Sequence, residues 1–186
     1  PFLASFDEAK KGFENGFSHA THLFNAMTAF ESRKPGVVGA VFDSERVTAE
    51  LICDGFHLAP ATVKISFKIL GYHRAVAISD SLSSAGCEDG EYVLGGQKVI
   101  VKNSRAHLED GTIAGSTTNL FDEFKNLLSF SIPFSDALAA CSINPARVIG
   151  ADNVCGSLEK GKNADVIFVD NSMNLSHVMV RGKMLF

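Results

Sequence analysis

Val47-Thr48-Ala49-Glu50-Leu51-Ile52-Cys53-Asp54-Gly55 is the stretch on which the fold turns: it alternates like a strand and then runs into a turn pair. Pro60 follows near the start of a helical stretch ending around Leu70, with Ile65, Ile69 and Leu70 predicted on one face and Gly71 as its stop. Ala75-Val76-Ala77-Ile78 then reads as a compact buried strand with Asp80 at its carboxyl end. Apolar strands separated by helices of this length imply a parallel sheet with helical cover.

The same rhythm extends upstream. Asp7 to Asn15 predicts a helix with Phe6 and Phe13 on its apolar side and Gly16 as its stop. Phe17 to Leu23 predicts a short strand, and Val37 to Phe42 a brief helix. Downstream the rhythm is interrupted. Tyr92 to Lys102, with Gly95-Gly96 in the middle, predicts a hairpin, and a further strand leads to Asp110-Gly111. Helices resume at Thr118 to Leu128 and at Ser135 to Ile149, each after plausible capping residues. Two last strands are expected at Asp165 to Val169 and His177 to Val180, the second turning at Arg181-Gly182-Lys183.

The 186 residues are 46% hydrophobic and 20% charged, enough to bury a core. A net charge of -4 argues against nucleic acid or an anionic membrane as the main partner, since either calls for a basic face. No apolar run approaches the ~18 residues that span a bilayer, and no segment has the layout of a signal peptide. Cys53, Cys87, Cys141 and Cys155 are scattered, with no CxxC pair, which fits free thiols in a reducing cytoplasm. The sequence opens at Pro1 without a methionine, as a fragment or a processed product does.

Polar residues gather where the strands end: His22 and Asn25 after one, Asp54 and His57 after the next, Asp80 after the third. In parallel α/β architectures the carboxyl ends of strands are where ligands bind. A neutral imidazole at His22 suits a transition metal, and a carboxylate at Asp80 suits proton transfer from metal-activated water to a leaving nitrogen. A catalytic zinc usually takes about three protein ligands, and this chain supplies one convincing candidate. His19 reads as packing, and His73, His107 and His177 as surface residues. Thr21 to Met27 crosses from strand to turn, where backbone N–H groups can face a phosphate, and Arg33 suits a two-pronged phosphate contact. Gly111-Thr112-Ile113-Ala114-Gly115-Ser116 reads as a small, flexible segment that lets backbone approach a ligand.

These motifs resemble, in order and spacing, the N-acetylglucosamine-6-phosphate deacetylases of the amidohydrolase superfamily. The resemblance rests on Thr21-His22-Leu23-Phe24-Asn25-Ala26-Met27, Arg33-Lys34-Pro35-Gly36, Asp54-Gly55-Phe56-His57, Ser79-Asp80 with Ala85-Gly86, and Gly111 to Ser116. Asn144-Pro145-Ala146-Arg147, Gly156-Ser157-Leu158 and Gly161-Lys162-Asn163-Ala164-Asp165 look like the closing signature of amidohydrolases generally.

The resemblance implies an α/β fold: residues 1–150 as the C-terminal half of a (β/α)8 barrel, strands about five to eight, and residues 151–186 as strands returning to a small β domain. It implies hydrolysis of N-acetylglucosamine 6-phosphate to glucosamine 6-phosphate and acetate, with a divalent metal, zinc ahead of iron. By the family pattern His22 is a metal ligand and Asp80 the general base and acid. Asn25, Ala26 and Arg33 meet the sugar phosphate, Arg33 across a homodimer, His57 contacts the substrate, and the backbone of Ile113, Ala114 and Gly115 lines the sugar pocket. The family's metal-binding glutamate, a further histidine and the first four barrel strands lie upstream of the matched segments, so the isolated chain is expected to be inactive. The competing expectations are another amidohydrolase acting on a cyclic amide or an amine, and a non-catalytic truncated fragment.

Overall fold

The computed structural model describes residues 3–103 and 105–186. Its elements, in chain order, are α1 (Phe6–Glu14), β1 (His19–Ala20), α2 (Gly36–Phe42), β2 (Thr48–Ile52), α3 (Pro60–Arg74), β3 (Ala75–Ile78), β4 (Gly90–Leu94), β5 (Gln97–Lys102), β6 (Arg105–Leu108) and β7 (Ile113–Gly115). They continue with α4 (Leu120–Ser129), α5 (Phe134–Cys141), α6 (Ile143–Val148), β8 (Val166–Val169), β9 (Leu175–Val180) and β10 (Lys183–Met184).

The first sheet is parallel, in the order β1-β2-β3, as apolar strands separated by helices predict. In its central strand Ala49, Leu51 and Ile52 are fully buried, and Ile52 lies beside Ile78. Past β3 the sheet gains one more parallel bridge, Ser81 beside Ser116, which brings the end of β7 against the rim next to Asp80. Helices cover the sheet. Val63, Phe67 and Leu70 of α3, Phe124 and Leu127 of α4 and Ala137 and Ala140 of α5 share one core with β2 and β3.

Local chemistry explains the helix ends. Ser5 and Glu8 form a reciprocal capping box at α1, with the Glu8 carboxylate accepting from the Ser5 amide at 2.8 Å. Pro60 occupies the first turn of α3, where its missing N–H costs nothing. Gly71, at φ 69°, leaves helical geometry, and the chain bends there before Arg74. The Arg74 guanidinium then donates to the carbonyls of Val41 and Val47, both at 3.2 Å, tying α3 to α2 and to the approach of β2. Asn144 of the Asn-Pro-Ala-Arg motif is buried and donates to the carbonyls of Tyr72 (2.7 Å) and Ala75 (2.9 Å), anchoring α6 to the entry of β3.

Four expectations need correction. The buried stripe of α3 is Val63, Ser66, Phe67 and Leu70, whereas Ile65 and Ile69 are 55% and 41% exposed. Ser66 fits that stripe because its hydroxyl donates to the Thr62 carbonyl at 2.8 Å. The helix expected over Ser135 to Ile149 is two helices, broken at Ser142 (φ -136°, ψ -80°). Pro145 cannot donate toward Cys141, and its ring would clash with that residue's carbonyl in a continuous helix. The strand expected over Phe17 to Leu23 pairs only at His19 and Ala20. The supposedly flexible Gly111 to Ser116 segment contains strand β7, paired with β6.

Two antiparallel sheets complete the chain. One runs β4-β5-β6-β7 around Val99, Val101 and Ala106, and begins with the expected hairpin. The other runs β10-β9-β8, and Ile167, Phe168, Val169, Leu175 and Val180 stay exposed on it.

Candidate active site

Each parallel strand hands the chain to a polar loop at the same rim. After β1, Thr21 to Met27 turns with His22, Phe24 and Ala26 all at positive φ (28°, 77° and 53°). Alternate residues in the left-handed region turn successive amides toward one side, the geometry of an anion-binding nest. Each such non-glycine residue costs of order 1–3 kcal/mol, and positions of this kind concentrate at ligand sites. The turn is held from β2. Leu23 N–H donates to the Glu50 carbonyl at 2.8 Å, and His22 N–H to the Glu50 carboxylate at 3.2 Å.

Glu50 was not singled out among the candidates, yet it organises this corner. Its other oxygen lies 2.9 Å from His19 Nε2, while His19 Nδ1 is 2.7 Å from the Thr48 hydroxyl. The His19 hydrogen bond, followed by the His22 amide, outweighs burial and lowers the Glu50 pKa. His19 is therefore the packing residue expected of it. The available signal was a carboxylate placed in the middle of an otherwise apolar strand. The His22 ring turns Nδ1 toward the Asn25 carbonyl at 3.0 Å, which fixes its orientation.

After β2, Asp54-Gly55-Phe56-His57 closes on itself. The Phe56 and His57 amides both donate to Asp54 Oδ1 at 2.8 Å, and Asp54 Oδ2 meets His57 Nδ1 at 2.7 Å. Both side chains are only 6% exposed. Burial pushes the Asp54 pKa up, but the His57 ring and the two amides together bring it below its usual value. Nδ1 of His57 is thereby committed to Asp54.

After β3, Asp80 stands exposed at φ 47°, its carbonyl accepting from the Ser116 amide at 3.0 Å. Gly115 lies beside it. A Cβ there would approach Leu82 to 2.8 Å and the Asp80 carbonyl to 3.2 Å, with φ at 144°. Gly115→Ala is accordingly expected to lower stability by about 1–3 kcal/mol and to displace the Asp80 turn. Urea denaturation checks the first effect and the Ser116 amide resonance the second.

The structure thus brings His22, Asn25, Ala26, Asp54, His57 and Asp80 to successive strand ends of one parallel sheet, and the Ser81–Ser116 bridge sets the end of β7, a strand of the antiparallel sheet, beside Asp80. Arg33 is exposed on the tight turn in which Glu31 and Lys34 exchange backbone hydrogen bonds. Among the described residues no group of three or more histidine, cysteine, aspartate or glutamate side chains is placed to hold a metal ion. One imidazole does not make a catalytic zinc site, so these residues do not by themselves fit the expected metal.

A second residue beyond the expected set is Glu123, in the first turn of α4, fully buried. Thr118 Oγ1 donates to its Oε1, and Ser116 Oγ lies 2.6 Å from the same hydroxyl. Burial pushes the Glu123 pKa up to about 7, against the Thr118 hydrogen bond and with the help of the Asp54 charge. The sequence signal was a carboxylate one turn from Leu127 on the apolar side of its helix.

The amidohydrolase family model matches residues 5–185. This chain belongs to the amidohydrolase family. Among curated amidohydrolase relatives, the N-acetylglucosamine-6-phosphate deacetylase of Bacillus subtilis (strain 168) is 36% identical over 92% of this chain and 43% of its own length. The putative N-acetylgalactosamine-6-phosphate deacetylase of Escherichia coli (strain K12) is 33% identical over 88% of this chain and 98% of its own length. Among solved structures, the N-acetylglucosamine-6-phosphate deacetylase of Thermotoga maritima superposes with a TM-score of 0.93 at 33% identity, over 99% of this chain and 51% of that one. The chain spans about half the length of the Bacillus and Thermotoga amidohydrolases and nearly all of the Escherichia coli K12 one.

Proposed function

We propose that this chain is the acid–base and sugar-phosphate-binding half of an N-acetylhexosamine-6-phosphate deacetylase, with N-acetylglucosamine 6-phosphate as first substrate. The observation that carries the reading is the juxtaposition of the strained Thr21–Met27 turn, the buried Asp54–His57 pair and Asp80 at neighbouring strand ends, in a chain whose relatives bear deacetylase names. The galacto-configured substrate is the second reading, favoured by the near full-length match to the Escherichia coli K12 protein.

In this reading the Asn25 side chain and the Ala26 backbone bind the phosphate, His57 Nε2 contacts the sugar phosphate, and the Ile113–Gly115 backbone lines the sugar. Asp80 takes a proton from the attacking water and returns it to the leaving amine nitrogen, so that acetate and the free amino sugar are released. Residues 1–150 form half of a barrel and residues 151–186 part of a small β domain. The exposed apolar side chains of β8 and β9 support this, since they are the surface that further chain would cover. The rest of the zinc or iron donor set then comes from that further chain. Arg33, exposed on its turn, reaches the phosphate across a homodimer. No helix among the described residues is long and apolar enough to cross a membrane, and we place the enzyme in the cytoplasm.

The test is a chimera joining this chain to the amino-terminal half of the Bacillus subtilis relative, assayed for acetate. Turnover of N-acetylglucosamine 6-phosphate well above that of N-acetylglucosamine supports the reading. Turnover of a cyclic amide without turnover of either sugar phosphate would point to another amidohydrolase. In the same chimera Arg33→Ala is expected to raise KM about tenfold or more, the scale of a lost charge-assisted contact, with bound metal unchanged. An unaltered KM removes Arg33 from phosphate recognition.

A further inference from the structure

The antiparallel sheet β4–β7 carries a group of cations that the chemistry above does not use. Val99, Val101 and Ala106 turn to its small core, so the period of two sends Lys102, Arg105 and His107 to the opposite face. Together with Asn103 these side chains line a cavity of about 490 Å³. Lys102 and Arg105 are cross-strand partners, and like charges directly opposite each other weaken a sheet. A bound anion would offset that cost. The acids of this sheet are engaged at its edges and turns. Lys98 takes Glu91 at 2.6 Å and Glu109 at 4.0 Å, and the Asp110 carboxylate accepts from the Thr112 amide at 2.9 Å. Asp89 accepts from the Asn103 amide at 2.7 Å.

Phe56 joins this face to the rim. The Arg105 guanidinium lies over its ring, 4.7 Å from the centroid, and the His107 ring meets it edge-on at 5.4 Å. The His57 ring meets the same phenyl edge-on at 5.9 Å. A guanidinium stacked on a ring uses its flat face and keeps its N–H fork for a two-pronged contact with phosphate oxygens. Arg105 and Lys102 are exposed, and among the described residues nothing accepts a hydrogen bond from the Arg105 fork. The His107 ring is held by the Gly111 carbonyl, 3.2 Å from its Nδ1, at the turn that leads into the Ile113–Gly115 strand. We propose that Arg105, with Lys102 and His107, forms an anion subsite that takes the phosphate ester of the sugar, with Phe56 as the wall it shares with His57. Arg105 supplies the two-pronged contact and Lys102 a second positive charge, so a single chain holds an arginine for the phosphate without a second copy. The proposal rests on the preceding reading in taking the ligand to be a sugar phosphate held at His57.

The purified chain, labelled at arginine and histidine side chains, is titrated by NMR with inorganic phosphate, glucosamine 6-phosphate and glucosamine. Ionic strength is held constant, so that screening does not mimic binding. Both phosphates should move the Arg105 Nε–H and His107 ring resonances saturably, and glucosamine should not. Arg105→Gln should weaken both phosphates about tenfold or more, the scale of a lost charge-assisted contact. Arg105→Lys keeps the charge without the fork and should lose less. Lys102→Gln leaves the stack on Phe56 in place and should weaken binding severalfold. No saturable shift at Arg105 would overturn the proposal, as would phosphate binding that Arg105→Gln leaves unchanged. Saturation by inorganic phosphate but not by glucosamine 6-phosphate would also overturn it, since the cluster would then hold a free anion and not the ester. Binding needs neither metal nor turnover, so an inactive chimera sinks the deacetylase reading alone. Absence of binding sinks the subsite alone and leaves Asn25 and Ala26 at the phosphate.

Discussion

Asp80→Asn, placed in the chimera with the Bacillus subtilis half, is expected to lower turnover by about a hundredfold to ten-thousandfold, the usual contribution of a positioned acid–base group. Asparagine has nearly the same shape, so the turn at φ 47° and the bond from the Ser116 amide should survive. What it cannot do is accept a proton from water and pass it to nitrogen. The loss should therefore appear in kcat, with KM and bound metal close to those of the parent. Single-turnover acetate release and metal content by elemental analysis check both parts. Near-normal kcat would take Asp80 out of the chemistry.

The second large effect concerns stability. Glu123 is held at about 7 in the fold against 4.5 as its ordinary value. Between those two values the folded chain binds the proton and the unfolded chain does not, so stability falls as pH rises through that window. The protonated form's advantage is fully present below about 4.5 and gone once Glu123 has ionised. The raised pKa corresponds to about 3 kcal/mol. Glu123→Gln cannot ionise and should lack this slope. Urea midpoints compared at pH about 5 and about 8 should thus show the variant gaining on the wild type at the higher pH by up to about that amount. Asp54 and Glu50, both lowered, act on the acid side instead: their contribution is lost as pH falls through their folded values. The difference between the two proteins isolates Glu123 from these and from the histidines. A gap that stays constant with pH would contradict the buried, proton-holding role.

Much of this architecture was legible because burial leaves a period in sequence. The alternation from Val47 to Cys53 and the compact run Ala75–Ile78 announced adjacent parallel strands, and Gly95-Gly96 announced a hairpin. The errors have physical causes. Ile65 and Ile69 drew attention by being large and apolar, but the stripe that meets the sheet contains the small Ser66, whose hydroxyl is satisfied within its own helix. The helix over Ser135 to Ile149 failed because apolar content outweighed Pro145.

The site was legible in its outline, since His22, Asp54, His57 and Asp80 all sit where strands end. What the sequence hides is which polar groups meet. Glu50 touches His19 and His22 from 28 or more residues away. The Asp54 charge, more than 60 residues upstream in sequence, helps hold the Glu123 pKa up. No local pattern encodes such meetings.

The central claim is that this chain carries the acid–base and sugar-phosphate half of a deacetylase but only part of its metal site. Acetate release from N-acetylglucosamine 6-phosphate, in excess zinc, measures it directly for the chain alone and for the chain mixed with the separately produced amino-terminal half of the Bacillus subtilis relative. The account predicts no release above buffer from the chain alone and clear release from the mixture. Robust turnover by the chain alone, or none by a mixture shown to assemble and bind metal, would contradict it.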